Sequence, residues 1–396
     1  MPAVNPEILI WARETAALEL EEAAKKLGFK DSTTSAASEK LKLLESGQRD
    51  PSRAQLNGMS KVYHQPLLAF YLPNPPIRGD RGEDFRTIPQ QTLDRKGNAH
   101  LNFLMRDVKA AQNLVRDLLE EEKSEPLPFI GSAAMSSGYY EVAQDIVEEL
   151  KFDLRLFRDT NNVRDAFSYL RERIEGRGIF VLLKSDLGSH HTAIPVEVFR
   201  GFAFADPFAP FIVINRQDTI AAWSFTALYE VAHLWLGSSG VSGKWGEYEI
   251  DRFCNQVAGA ILLPPDELRI VDINETAGFD ESAHEISTFA YERSISPAMV
   301  AYNLLLIKKI NEEQWRKLNR EFQIDRRRNN ETKHASQQSQ KGGPSYYAVL
   351  RHQLGNPLIE IARRHIQSRS LTPTKAAVIL GVAPTRVYPL LFPEYA

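Results

Sequence analysis

The densest chemistry in this sequence lies in the run Ser224–Gly237, where Tyr229, Glu230 and His233 fall on the spacing of the H-E-x-x-H zinc motif. That motif works because residues i and i+4 share one helix face, so two imidazoles hold a zinc ion while the intervening glutamate polarises its bound water. Here the first position is a tyrosine. A neutral phenol, with a reference pKa of about 10, is a poor zinc ligand unless the metal itself helps to remove the proton. A second stretch, EIDRFCNQVAGAILLP, places Asp251 and Asn255 four residues apart. An acidic residue from a second helix is the usual third ligand of a zinc site built on two histidines. The same residues also fit a structural role, because Phe225, Leu228, Val231, Ala232 and Trp235 make the motif helix apolar enough to pack a Glu and a His inside. Cys254 is the only cysteine, which excludes an internal disulfide and any multi-cysteine zinc site. It sits beside Asn255 and reads as core. Any metal must therefore be held by histidine and carboxylate.

Elements to carry these residues can be read on either side of them. Three short apolar runs, Gly178–Leu183, Phe202–Asp206 and Pro210–Asn215, have the character of strands leading into the motif helix Thr219–Gly237. A turn over Gly237–Gly246 then leads to a helix at Glu247–Leu263, and apolar spacing of three and four predicts further helices at Tyr140–Lys151, Val163–Ile174, Ser282–Arg293 and Pro297–Ile310. The N-terminal 72 residues read as helices alone: Pro6–Glu14, Leu20–Leu27, Ala36–Glu45 and Arg53–Tyr63. Gly28 and Gly47 stand where a helix end prefers glycine. A Pro/Gly-rich stretch, Leu72–Asp84, marks a linker, followed by a helix at Leu101–Glu122 and a break at Ser124–Gly131. Arg326–Ser345 is polar and reads as a second linker, before a small basic helical unit from Tyr346 to Ala396.

The composition is that of a globular chain, 396 residues with 43% hydrophobic, 10% aromatic and 25% charged, long enough for two or three domains. No apolar run reaches membrane-spanning length and no secretory leader is recognisable, so a cytoplasmic protein without membrane contact is expected. The formal net charge is −3, yet Lys308–Ala396 holds 16 Lys+Arg against 7 Asp+Glu, leaving residues 1–307 at −12. Such a split suggests different partners for different parts of the chain, or a solvated basic helix and tail.

Together, PEILIWARETAALELEEAAKKLGF, KLKLLESGQRDPSRAQL, PLLAFYLPNPP with EDFRT, FIVINRQDTIAAWSFTALYEVAHLWLGSSGVSG and DRFCNQVAGAILLP resemble the ImmA/IrrE family of metallo-endopeptidases, in the subfamily with an N-terminal Xre-type helix-turn-helix domain. The resemblance covers about Asn5–Ile310. It implies a predominantly helical α+β chain: an Xre-like domain over 1–72, a connector over 73–130, and a small zincin-like mixed α/β peptidase domain over 131–325. The polar linker 326–345 and the helical unit 346–396 follow. It implies zinc ligands at positions 229, 233 and 251 and Glu230 as general base. Two departures stand out, Tyr229 for the expected His and Asp251 for the usual Glu. A peptidase fold that binds zinc weakly or not at all follows, through drift, inactivation or a regulatory change.

By the same resemblance, Leu20–Leu27 and Ala36–Glu45 form the helix-turn-helix, with Ser38, Lys40 and Lys42 toward DNA bases and Gln48 and Arg49 near phosphates. The turn over Lys30–Ser35 is longer than usual, and residues 1–60 hold eight Lys+Arg against nine Asp+Glu. Because phosphate neutralisation drives DNA affinity, the alternative is a helical domain for dimerisation or protein capture. Arg326–Arg328 and the C-terminal arginines could supply the missing positive charge. The segment SLTPTKAAVILGVAPTRVYPLL has the short-helix, Gly-turn, short-helix form of a second helix-turn-helix, and equally of a helical packing unit. The leading expectation is an antitoxin-type regulator: a homodimer that binds its own promoter and a protein partner such as a cognate toxin, with a phage-defence role by association. The rivals are an active zinc endopeptidase that cleaves its partner and a pure protein-interaction scaffold.

Overall fold

A computed structural model of the chain describes residues 4–32, 35–76, 94–238, 240–242, 249–264, 266–269, 279–322, 324 and 345–393. The EDFRT segment, Arg326–Arg328, most of the linker at 326–345 and much of the turn at 237–246 lie outside them. The fold is α+β and predominantly helical, and its contacts group the chain into two compact units, 1–106 with 186–194 and 107–185 with 195–396.

The first unit is helical. It comprises α1 (Pro6–Thr15), α2 (Leu20–Lys26), α3 (Ala37–Glu45), α4 (Arg53–Val62), a 3-10 turn (Leu67–Tyr71) and the first part of α5 (Arg95–Glu121). Side-chain caps set the helix starts: Asn5 accepts from the Glu7 N–H, and Ser52 from the Gln55 N–H. Ile8, Leu9, Leu41, Leu44, Leu56, Met59, Tyr63 and Phe70 form its core. Arg13 on α1 reaches across to the buried Glu45 on α3, with Nε–Oε1 at 2.8 Å and Nη2–Oε2 at 3.1 Å. This bidentate pair fixes the two helices against each other.

The second unit is built on a four-stranded sheet, β1 (Phe180–Leu183), β2 (Gly201–Phe204), β3 (Phe211–Ile214) and β4 (Gly240–Ser242), in the order β1-β3-β2-β4. β1 runs parallel to β3, and the other pairs are antiparallel; Gly201 faces Ile214 on one side and Ser242 on the other. FVLL, GFAF and FIVI are continuous apolar runs, as strands covered on both faces require, and every residue in them is buried. Helix α9 (Ile220–Trp235) lies against β2 and β3, and packs against α8 (Val163–Glu175), α6 (Tyr139–Leu150) and α10 (Glu249–Leu262). On α5, the fully buried Gln112 Nε2 donates to the Phe204 and Ala209 carbonyls at 3.0 and 2.7 Å. Helices α7 (Leu154–Arg158), α11 (Phe279–Glu292) and α12 (Pro297–Leu306) complete this part. The C-terminal helices belong to the same unit, because Tyr346–Leu354 packs on β1 and the Arg171 guanidinium donates to both the Val181 and His352 carbonyls.

Candidate functional site at the α9–α10 corner

Helix α9 is apolar nearly all round, so its polar residues are carried into the interior rather than left on a wet face. Its C-terminal end is held in part by backbone: the Gly131 and Ala133 N–H groups donate to the Leu234 and Trp235 carbonyls at 3.0 and 2.9 Å. Gly237 ends the helix with φ +65°, and a Cβ there would stand 3.0 Å from the Gly131 Cα. Both the left-handed turn and the close approach require glycine. The Trp235 indole N–H donates to Asp145 at 2.7 Å, and its ring stacks on Phe129. The motif residues are therefore held on a rigid frame.

Tyr229 and His233, four apart on α9, meet edge-to-face with ring centroids 4.8 Å apart. Asp251 approaches from α10. The Tyr229 hydroxyl donates to Asp251 Oδ1 at 2.9 Å, and His233 Nε2 lies 3.8 Å from that same oxygen. His233 Nδ1 shares a 2.9 Å hydrogen bond with Ser238 Oγ, in which either atom can donate depending on the tautomer. Burial pushes the His233 pKa down to about 4, so the ring is neutral at physiological pH. Burial, reinforced by the Asp251 and Glu230 charges, holds the Tyr229 phenol well above its ordinary range. Burial also raises the Asp251 carboxyl, against the hydrogen bond from Tyr229. The Cys254 thiol, fully buried next to them, is pushed up by burial and by Glu230 and Asp251, which suits core rather than a nucleophile.

Glu230 points elsewhere. Its side chain is fully buried on the sheet side of α9, where Oε1 lies 2.7 Å from the position a Cβ on Gly201 would take and Thr226 Cγ2 lies 2.6 Å from it. The absence of a side chain at 201 is what lets the carboxylate lie on β2. A general base must reach the water it activates, and this carboxylate is sealed from solvent.

Only two of the three groups at this corner are of a type that ordinarily holds zinc. A catalytic zinc takes three protein ligands of Cys, His or carboxylate type. The corner offers His233 and Asp251, and its third group is a phenol whose proton is committed to the very Asp251 oxygen that faces the histidine. Removing that proton is opposed by burial and by two neighbouring carboxylates. Among the described residues no group of three His, Cys, Asp or Glu side chains could hold a metal. What the corner supplies is a hydrogen-bonded cluster joining two helices.

Spacing thus brings Tyr229, His233 and Asp251 together and leaves Glu230 on the other side of α9. Asn255 uses its side-chain amide locally, donating to the Asp251 backbone carbonyl at 2.9 Å. Two contributors had weaker signals in the sequence. Ser238 is a polar residue one step past the helix-ending glycine, and Gly201 is a glycine at the head of an apolar run. In the first unit, Ser38 and Lys40 are half-buried, while Lys42, Gln48 and Arg49 are exposed at or beyond the end of α3. Lys40 Nζ donates to the Lys30 carbonyl at 2.8 Å, and Asp31 accepts from the Ala37 N–H at 2.7 Å. Both contacts pin the connection between α2 and α3.

Comparison of the chain with protein-family models, with curated proteins and with solved structures found no match.

Proposed function

We propose that this chain is a cytoplasmic, antitoxin-type regulator whose second unit is a peptidase-like domain that binds a protein partner without cutting it. The observation that carries this reading is the 2.9 Å bond from the Tyr229 hydroxyl to Asp251, which commits that carboxylate oxygen to a phenol proton. The sealed position of Glu230 points the same way. The resemblance of the sequence to helix-turn-helix regulators with an ImmA/IrrE-type domain supports a toxin as the partner. It also supports promoter DNA as the ligand of α2 and α3, bound by a homodimer through Ser38, Lys40, Lys42, Gln48 and Arg49. An extended partner segment binds by strand addition, and sheet order decides where. The strand Phe211–Asn215 is interior and paired on both sides, so among the described strands the edges are β1 and β4, and a strand-adding segment would use β4, Gly240–Ser242.

Co-expression with the product of the adjacent gene, followed by intact-mass measurement, tests the proposal. The partner is expected to co-purify uncut, with Glu230→Gln indistinguishable from the native chain. A cleaved partner whose cleavage stops in Glu230→Gln makes the domain a working zinc peptidase.

A further inference from the structure

The C-terminal helices carry a second recognition geometry that the site on α9 does not use. Helix Pro373–Leu380 starts at Thr372, whose hydroxyl accepts from the Lys375 N–H, and ends at Gly381 with φ +64°. Three residues later a 3-10 turn, Pro384–Arg386, runs directly into the helix Val387–Leu391. Two helices joined by a short glycine-containing turn have the element order of a helix-turn-helix. The connection between α2 and α3, from Leu27 to Ala36, is far longer. Ala376, Ala377, Leu380, Val387 and Leu390 are buried between these helices and Asn356–Gln367, leaving Lys375, Thr385, Arg386 and Tyr388 exposed.

Two features prepare this face for a polyanion. The second helix is short, and it is held from outside: Arg351 donates to the Leu390 carbonyl at 3.0 Å and Arg363 to the Leu391 carbonyl at 2.9 Å, occupying acceptors the helix leaves open. Arg386 is laid 5.1 Å over the Tyr346 ring and donates to its hydroxyl at 3.0 Å, which fixes the direction of its guanidinium. The charge is one-sided as well. Residues 346–393 hold six Lys and Arg and a single acidic residue, Glu360. Among the described residues, Arg369, Lys375 and Arg386 have no acidic partner in ion-pair contact. Residues 1–60, by contrast, have a slight acidic excess.

We infer that residues 346–393 form a second double-stranded-DNA-binding unit, in which the segment Pro384–Leu391 enters the major groove with Thr385, Arg386 and Tyr388 toward the bases while Arg369 and Lys375 contact phosphates. This stands on the C-terminal helices alone and is independent of what the α9–α10 corner does. The full chain, titrated into a fluorescent mixed-sequence duplex of roughly 30 bp at low salt, tests it by anisotropy. The double substitution Lys375→Glu, Arg386→Glu changes exposed residues and keeps the native circular dichroism. It is expected to weaken binding at least about tenfold and to flatten the salt dependence by about two counterions. Unchanged affinity and slope in that variant overturn the inference, as does failure of the native chain to bind the duplex. Lys42→Ala with Arg49→Ala is the parallel arm. Loss of binding there alone keeps the N-terminal reading and refutes this one, whereas loss in both pairs gives the chain two DNA-contacting units.

Discussion

Replacing Gly201 by alanine tests how α9 is seated on the sheet. The added methyl would stand 2.6 Å from Thr226 Cγ2, 2.7 Å from Glu230 Oε1 and 3.1 Å from the Val213 carbonyl oxygen. Ordinary carbon–carbon contact needs about 3.5–4.0 Å, so α9 must lift by roughly 1 Å. The sheet cannot yield instead, because Gly201 is paired to Ile214 and Ser242 on its two sides. Overpacking of a close-packed core costs about 1–3 kcal/mol. With a helix side chain, a buried carboxylate and a strand carbonyl all in the way, the upper end of that range is expected. Thr226→Ser removes the nearest methyl at a cost of its own of about 0.8 kcal/mol. In the double variant this clash is gone, so the two substitutions should couple favourably by about 1 kcal/mol. Urea unfolding followed by tryptophan fluorescence reads both values, since Trp223 and Trp235 lie on α9. If Gly201→Ala is as stable as the native chain within about 0.5 kcal/mol, the close approach of Glu230 to β2 is wrong.

Three further outcomes follow from buried polar groups. Arg13→Ala should lower the stability of the first unit by about 3 kcal/mol, because it strands the buried Glu45 carboxylate; Glu45→Ala should cost a similar amount, and a melting temperature unmoved by either would show that the pair is not formed. His233 is neutral when folded, with a pKa near 4 against 6.5 unfolded, so the unfolded chain binds more protons between those values. Stability is therefore full above pH 6.5 and falls by about 3 kcal/mol as pH drops to 4; His233→Gln should remove that part of the slope, and an unchanged profile would mean that the ring is solvated. Gln112→Leu strips the donor from two buried carbonyls and should destabilise by about 2–3 kcal/mol in urea titration, with a neutral effect ruling out the bridge.

Helices were legible in the sequence wherever a cap and an apolar period coincided. Pro6–Thr15 after Asn5, Val163–Glu175 after Asn162 and Pro297–Leu306 after Ser296 start where their capping residues stand, and the polar side chain accepts from the first-turn N–H groups in each. The three apolar runs were legible as strands because strands covered on both faces need no alternation. Strand β4 was not. Three residues within a glycine- and serine-rich stretch carry no pattern, and only pairing with β2 makes Gly240–Ser242 a strand. Helix α5 starts at Arg95, six residues before the expected Leu101, because its first turns are polar and include Gly97. At the site, a four-residue spacing placed Tyr229 and His233 on one face, and Asp251 on the next helix lies within reach of both. Spacing carries no information on where a phenol proton goes. It also cannot show that Glu230, one residue along, turns to the sheet through a gap that exists only because residue 201 has no side chain.

The zinc content of the native chain, beside that of Tyr229→His, tests the central claim most directly. Both proteins are loaded with zinc, dialysed against a weak chelator and measured by elemental analysis. With the Tyr229 phenol bonded to Asp251, the native chain should retain little zinc, while Tyr229→His, with two imidazoles and a carboxylate around one point, should retain about one ion per chain. A native chain that holds about one zinc through dialysis would contradict the account, because the phenol would then be a metal ligand and not the donor that closes the site.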